Sequence, residues 1–147
     1  MPGIVVGFDG SAHSERAIEW ALKEAALRHA PLTVLAVHPV AKSMWTRTPI
    51  IYPADEGDVD KARAAARESV DKLASQIVAS ERPAVTVDAV NGVPAEELIK
   101  AGGDADLLVV GARGSGGFGR LRLGSVSSQV TQHAPCPVVV VPSASPS

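Results

Sequence analysis

This sequence predicts an α/β fold, with five parallel strands in one sheet and helices on both faces. Three observations carry that reading. Short apolar runs bounded by turn residues recur at Ile4–Phe8, Leu32–Val37, Val85–Val90, Leu107–Val110 and Val138–Val141, the pattern of buried strands. Helical segments stand between them, and strand–helix alternation implies a parallel sheet. Right-handed crossovers leave few topologies. The three-layer α/β/α arrangement with order 3-2-1-4-5 (flavodoxin-like, Rossmann-like) is the one adopted here, and it puts the reversal between strands one and four. Ligands bind beyond the strand ends at such a reversal.

Taken in order, Ile4–Phe8 is the first strand and Asp9-Gly10-Ser11 its turn. Ser14 is placed to cap the next helix, which should run to about His29. Ala17, Ile18, Ala21, Leu22 and Ala25 form its apolar stripe, while Trp20 and Leu27 point elsewhere, toward a flanking helix or a partner. The second strand, Leu32–Val37, ends at His38-Pro39. From Val40 to Gly57 the periodicity fails, Pro49 and Pro53 interrupt any element, and Trp45, Ile50, Ile51 and Tyr52 make an apolar loop. Loops of that length are often lids. A long helix is predicted over about Asp58–Ser80, with Ala62, Ala66, Ser69, Val70, Leu73 and Ile77 on one face. Val85–Val90 is the third strand, turned by Asn91-Gly92. Pro94 suits the first turn of a short helix, which Gly102-Gly103 stops. The fourth strand leads to a glycine-rich loop, a helix over about Ser125–His133 and the fifth strand. Residues 1–142 thus read as one domain and 143–147 as a flexible tail.

Composition narrows the function classes. A chain of 147 residues with net charge −2 is long enough for a real core and has no basic face suited to nucleic acid. A single cysteine, Cys136, excludes an internal disulfide and fits a reducing compartment. No apolar run approaches the ~20 residues that span a bilayer, and Met1-Pro2-Gly3 leads directly into a strand, leaving no signal peptide. The expectation is a soluble, cytoplasmic protein. His13, His29, His38 and His133 show no metal spacing, and Cys136, between two prolines, reads as a packed filler.

The chemistry concentrates after the fourth strand. Gly111, Gly114, Gly116, Gly117, Gly119 and Gly124 lie in one loop, Arg113, Arg120 and Arg122 add positive charge, and no Asp or Glu follows Leu107. Glycines let a ligand approach the backbone, and a loop ending at a helix start aims N–H groups and the helix dipole at an anion. This is the composition of a phosphate cradle. Across the predicted reversal lies Asp9, so two readings meet at one crevice.

Three glycine signatures compete. Gly114-Ser115-Gly116-Gly117-Phe118-Gly119 has the form G-x-G-x-x-G, but a dinucleotide site also needs a helix opening at once and an acid about 20 residues on, and neither follows. Gly119 to Ser125 outlines a P-loop without its lysine. The third is Gly111-x-x-Gly114, nine residues, then Gly124-Ser125.

This G-2x-G-9x-G-S/T spacing resembles the nucleotide-binding signature of the universal stress protein family. Val6-Gly7-Phe8-Asp9-Gly10-Ser11, Asp106–Gly111 and Ala134–Val141 are similar to that family's first, fourth and closing strands, so the resemblance covers nearly the whole chain. It implies the ATP-binding type. Asp9 would contact the ribose or a nucleotide-bound magnesium, and Val37 would line the adenine pocket with backbone contacts. Gly111, Gly114, Gly124 and Ser125 would hold phosphates with help from the Val126 N–H, and Arg113 lies inside the motif. The resemblance also implies a homodimer through Val138–Val141, an edge that needs cover, and an unidentified protein partner in stress tolerance.

Simpler roles exist for the same residues. Ser125 is also a natural N-cap, Asp9 a turn former, and Arg120 and Arg122 solvated surface. Four functions follow: an ATP-binding regulatory protein, a slow ATP hydrolase or phosphotransferase, a binder of AMP or cyclic AMP, and an interaction module with an empty loop. Transfer chemistry needs a positioned base or water-orienting group. Asp9 is the only obvious acid at the mouth, so turnover should be slow.

Overall fold

A computed structural model describes residues 3–39, 55–112 and 123–142. Expectations for residues 40–54, for Arg113, Gly114 and the rest of 113–122, and for the 143–147 tail lie outside the described residues.

The five strands are β1 (Ile4–Phe8), β2 (Leu32–Pro39), β3 (Val85–Gly92), β4 (Leu107–Gly111) and β5 (Val138–Val141). All pairings are parallel and the sheet order is β3-β2-β1-β4-β5. The helices are α1 (Ala12–Arg28), α2 (Asp55–Ala74), α3 (Pro94–Ala101) and α4 (Ser125–His133), with 3-10 turns at Ala79–Glu81 and Gly102–Asp104.

Alternation along the strands sorts the core into two layers. Ile4, Val6, Leu32, Val34, Ala36 and Val109 pack with Ala17, Ile18, Ala21 and Leu22 of α1 and Ala66, Val70 and Leu73 of α2. Leu35, Val37, Leu108 and Val110 pack on the other face with Ala95 and Leu98 of α3 and Val130 of α4. The predicted stripe of α1 is buried throughout. On the opposite face Gly7 lets α3 sit close to the sheet, since a Cβ there would lie 3.0 Å from Leu98 Cδ1.

Several boundaries differ from expectation. The cap of α1 is Ser11, whose Oγ accepts from the Ser14 N–H. Ser14 is instead buried, its Oγ donating to the Ser11 carbonyl at 2.9 Å. Asn91-Gly92 is not a turn: β2 and β3 continue together through the His38↔Asn91 and Pro39↔Gly92 rungs. Helix α2 begins at Asp55 and stops at Ala74, short of Ser80, with Ile77 still packed on the first layer. Trp20 also packs on that layer, whereas Leu27 is exposed.

Candidate functional site

The two layers explain why a crevice exists. β1 passes its chain to α1 on one face and β4 passes its chain to α4 on the other. Their rungs end at Val6↔Val109, before either strand is finished. The last rung of β1 with β2 is Phe8↔Ala36, so from Val37 onward β2 is flanked, among the described residues, by β3 alone. The crevice therefore has Asp9-Gly10-Ser11 on one wall, Gly111-Ala112 on the other, and unmatched β2 backbone at its side.

The Asp9 wall is a closed turn. Asp9 Oδ1 accepts from the Ser11 N–H at 2.9 Å and from Ser11 Oγ at 2.5 Å. Gly10, at φ 85°, supplies the left-handed residue that a side chain would strain. Asp9 itself is exposed. The turn-forming role is thus realised, and it fixes where the carboxylate stands. Behind it, Glu15 in the first turn of α1 accepts from Ser69 Oγ at 2.8 Å and Lys72 Nζ at 3.0 Å on α2. The Ser69 hydrogen bond first, then that of Lys72, holds its carboxyl below the ordinary value against the opposing effect of burial.

The opposite wall is built around one carbonyl. Ala112 donates its N–H to Val141 O at 2.9 Å, while its own oxygen accepts from the Gly124 N–H at 2.7 Å and from Ser127 Oγ at 2.8 Å. Residues 112 and 124, distant in sequence, are thereby joined. The two ends of the predicted signature, Gly111 and Gly124-Ser125, come to one place. Gly111 has a packing reason to be glycine, since a Cβ there would lie 2.9 Å from the His13 carbonyl oxygen.

Gly124 is the N-cap of α4, extended at φ −69° and ψ 169°, and offers no side-chain cap. Ser125 is the first helical residue, so its expected capping role falls to Gly124, and its side chain is exposed. Val126 is partly buried against the second layer. With no side-chain cap and no acid in the first turn of α4, its leading N–H groups and dipole suit an anion. Ser127, buried and latching the wall, escaped sequence reading. Its position in the helix start was visible, but its distant acceptor was not.

Val37 is buried, and its backbone lies past the last rung of β2 with β1. No group of three or more His, Cys, Asp or Glu among the described residues could hold a metal ion. Magnesium is commonly held by one or two carboxylates together with a substrate's phosphates, and the exposed Asp9 would fit the carboxylate part of such a set. Cys136 is half-buried, and burial pushes its thiol up from the usual value, which suits packing rather than nucleophilic chemistry.

A model described as the universal stress protein family matches residues 2–142. A universal stress protein of Mycobacterium tuberculosis is 38% identical over 142 residues, covering 95% of this chain and 47% of the relative. The chain thus spans about half the length of that relative. Among solved structures, the universal stress protein UspA from Lactobacillus plantarum superposes with a TM-score of 0.68 at 28% identity, covering 95% of this chain and 97% of its own. A universal stress protein in complex with cAMP superposes at 0.66 and 29% identity, covering 95% of each chain. No helix among the described residues is long and apolar enough to cross a membrane.

Proposed function

From the premise that this chain belongs to the universal stress protein family, we propose that it is a regulatory protein that binds an adenine nucleotide, ATP in the first instance. The observation that carries the proposal is the joining of Gly111-Ala112 to the uncapped start of α4 across from Asp9. Phosphates would lie against the Gly111, Gly124, Ser125 and Val126 backbone, completed by Arg113 and Gly114. Adenine would lie beside Val37, and Asp9 would meet the ribose or a magnesium carried by the phosphates. Binding rather than turnover is favoured because phosphoryl transfer needs a positioned base or water-orienting group, and Asp9 Oδ1 is engaged in closing the turn with Ser11.

A second reading has its own support. A relative in the family was solved with cAMP, so a monophosphate or cyclic nucleotide is the alternative ligand. The reading extends to a homodimer through the outer edge of β5, which pairs with β4 on one side, and to action in the cytoplasm through a protein partner.

Native mass spectrometry of the purified protein tests ligand and assembly together, with calorimetric titration of ATP, ADP, AMP and cyclic AMP to rank affinities. Micromolar ATP binding, on the order of 8 kcal/mol, by a dimer is the expected result. No binding by any of the four would overturn the nucleotide reading, and phosphate release at ordinary enzyme rates would make the protein a hydrolase instead.

A further inference from the structure

His13 is the second residue of α1, between the Asp9–Ser11 turn and the end of β4. Its carbonyl oxygen and Cβ lie 2.9 and 3.3 Å from the point that a Gly111 Cβ would occupy, so it sits where the two crevice walls meet. Its Nδ1 is buried and has no hydrogen-bond partner among the described residues. Native proteins pair nearly all such atoms, and an exception calls for an explanation. The charged neighbours on its own helix are engaged elsewhere. Glu15 holds Ser69 and Lys72, and Arg16 Nε donates to Pro142 O at 3.3 Å.

We propose that His13 is a phosphate contact of the nucleotide site, its Nδ1–H donating to a phosphate oxygen of the bound ligand. The inference rests on the nucleotide reading above and adds to it a side-chain donor on the α1 wall. An imidazole N–H is a suitable donor to an anionic oxygen. No hydrogen bond among the described residues engages Nδ1, and the torsion about χ2 is broad and roughly two-fold, so the ring is free to turn toward a ligand oxygen. The α4 start and the Gly111 backbone would then hold phosphate from one side and His13 from the other.

The test is calorimetric titration of ATP, AMP and adenosine into the full chain and its His13→Ala and His13→Asn variants. Asn places an amide nitrogen near the position of Nδ1, so it should restore what Ala removes. The expected result is at least a tenfold loss of ATP affinity in His13→Ala, unchanged adenosine affinity, and recovery of most ATP affinity in His13→Asn. A nitrogen-detected imidazole spectrum of the wild type should also show the Nδ1 signal of His13 moving when ATP is added and not when adenosine is. Equal ATP affinity in wild type and His13→Ala overturns the assignment while leaving the nucleotide reading intact. Parallel weakening of ATP and adenosine overturns it in favour of a packing role. A wild type that binds none of the three removes the nucleotide reading and this contact with it.

Discussion

Two glycines on the crevice walls are glycine for different reasons, and substitution separates them. Gly10 has φ 85° with open space around its missing Cβ, whereas Gly111 would drive a Cβ to 2.9 Å from the His13 carbonyl oxygen. Gly10→Ala should cost the roughly 1–2 kcal/mol of a left-handed L-residue and leave the rest of the wall in place. Gly111→Ala must push α1 from β4, at about 1–3 kcal/mol, and should widen the crevice. Urea denaturation gives both costs. A neutral Gly111→Ala would mean that α1 yields without resistance and that the glycine serves ligand approach alone. Nothing in the residue types announced this difference, because it depends on what lies across the crevice.

Among the elements, α1 and α2 are tied by the Glu15 cluster, and the tie carries a pH signature. The carboxyl is held below its ordinary value of 4.5 by Ser69 and Lys72. A folded-state value below the unfolded one stabilises the fold above the unfolded value, and the stabilisation is lost as pH falls through the folded one. Lys72 is 60% exposed and Glu15 32%, so screening limits the tie to no more than about 1 kcal/mol. Glu15→Gln should therefore be slightly less stable than wild type at pH 7, with the difference closing as pH drops below 4.5. A difference of constant size from pH 7 to pH 3 would show that ionisation has no part in the contact. The helix starts follow a related logic. α1 begins on Ser11, which supplies an oxygen to its first turn, and α4 begins on Gly124, which supplies none. Serine as a residue type suggested Ser14 for the first position and, as the simpler of its two roles, Ser125 for the second. The caps are instead Ser11, three residues before Ser14, and Gly124, just before Ser125, because these have the extended backbone that a cap requires.

For the whole molecule, ligand binding and stability are linked. A nucleotide that binds the folded state at a hundred times its dissociation constant adds about 2.7 kcal/mol, which for a chain of 147 residues is a rise of roughly 5–10 °C in melting temperature. Gly114→Glu, which would place a carboxylate where the proposed site would hold phosphate, should remove that rise while keeping the unliganded melting temperature near wild type. A shift preserved in Gly114→Glu would locate the ligand elsewhere. The strand order and the layering of the core were legible beforehand, and so was the adjacency of β1 and β4 at the reversal. Strand–helix alternation and the handedness of crossovers leave little freedom once five apolar runs are recognised. The β2–β3 extension was not legible, since Asn91-Gly92 has the local chemistry of a turn and is drawn into the sheet only by its rungs with His38 and Pro39.

Local pattern by itself determined the fold class, the buried stripe of α1 and the glycine spacing that pointed to a nucleotide family, because each depends on residues near one another along the chain. Tertiary structure alone decided that Ala112 and Gly124 share a hydrogen bond, that Ser127 latches the wall, that His13 leaves no room for a Cβ on Gly111, and that Nδ1 of His13 has no partner among the described residues. Those facts join segments far apart in sequence, and the hydrogen-bond demand of a buried atom is known only once everything packed around it is in place.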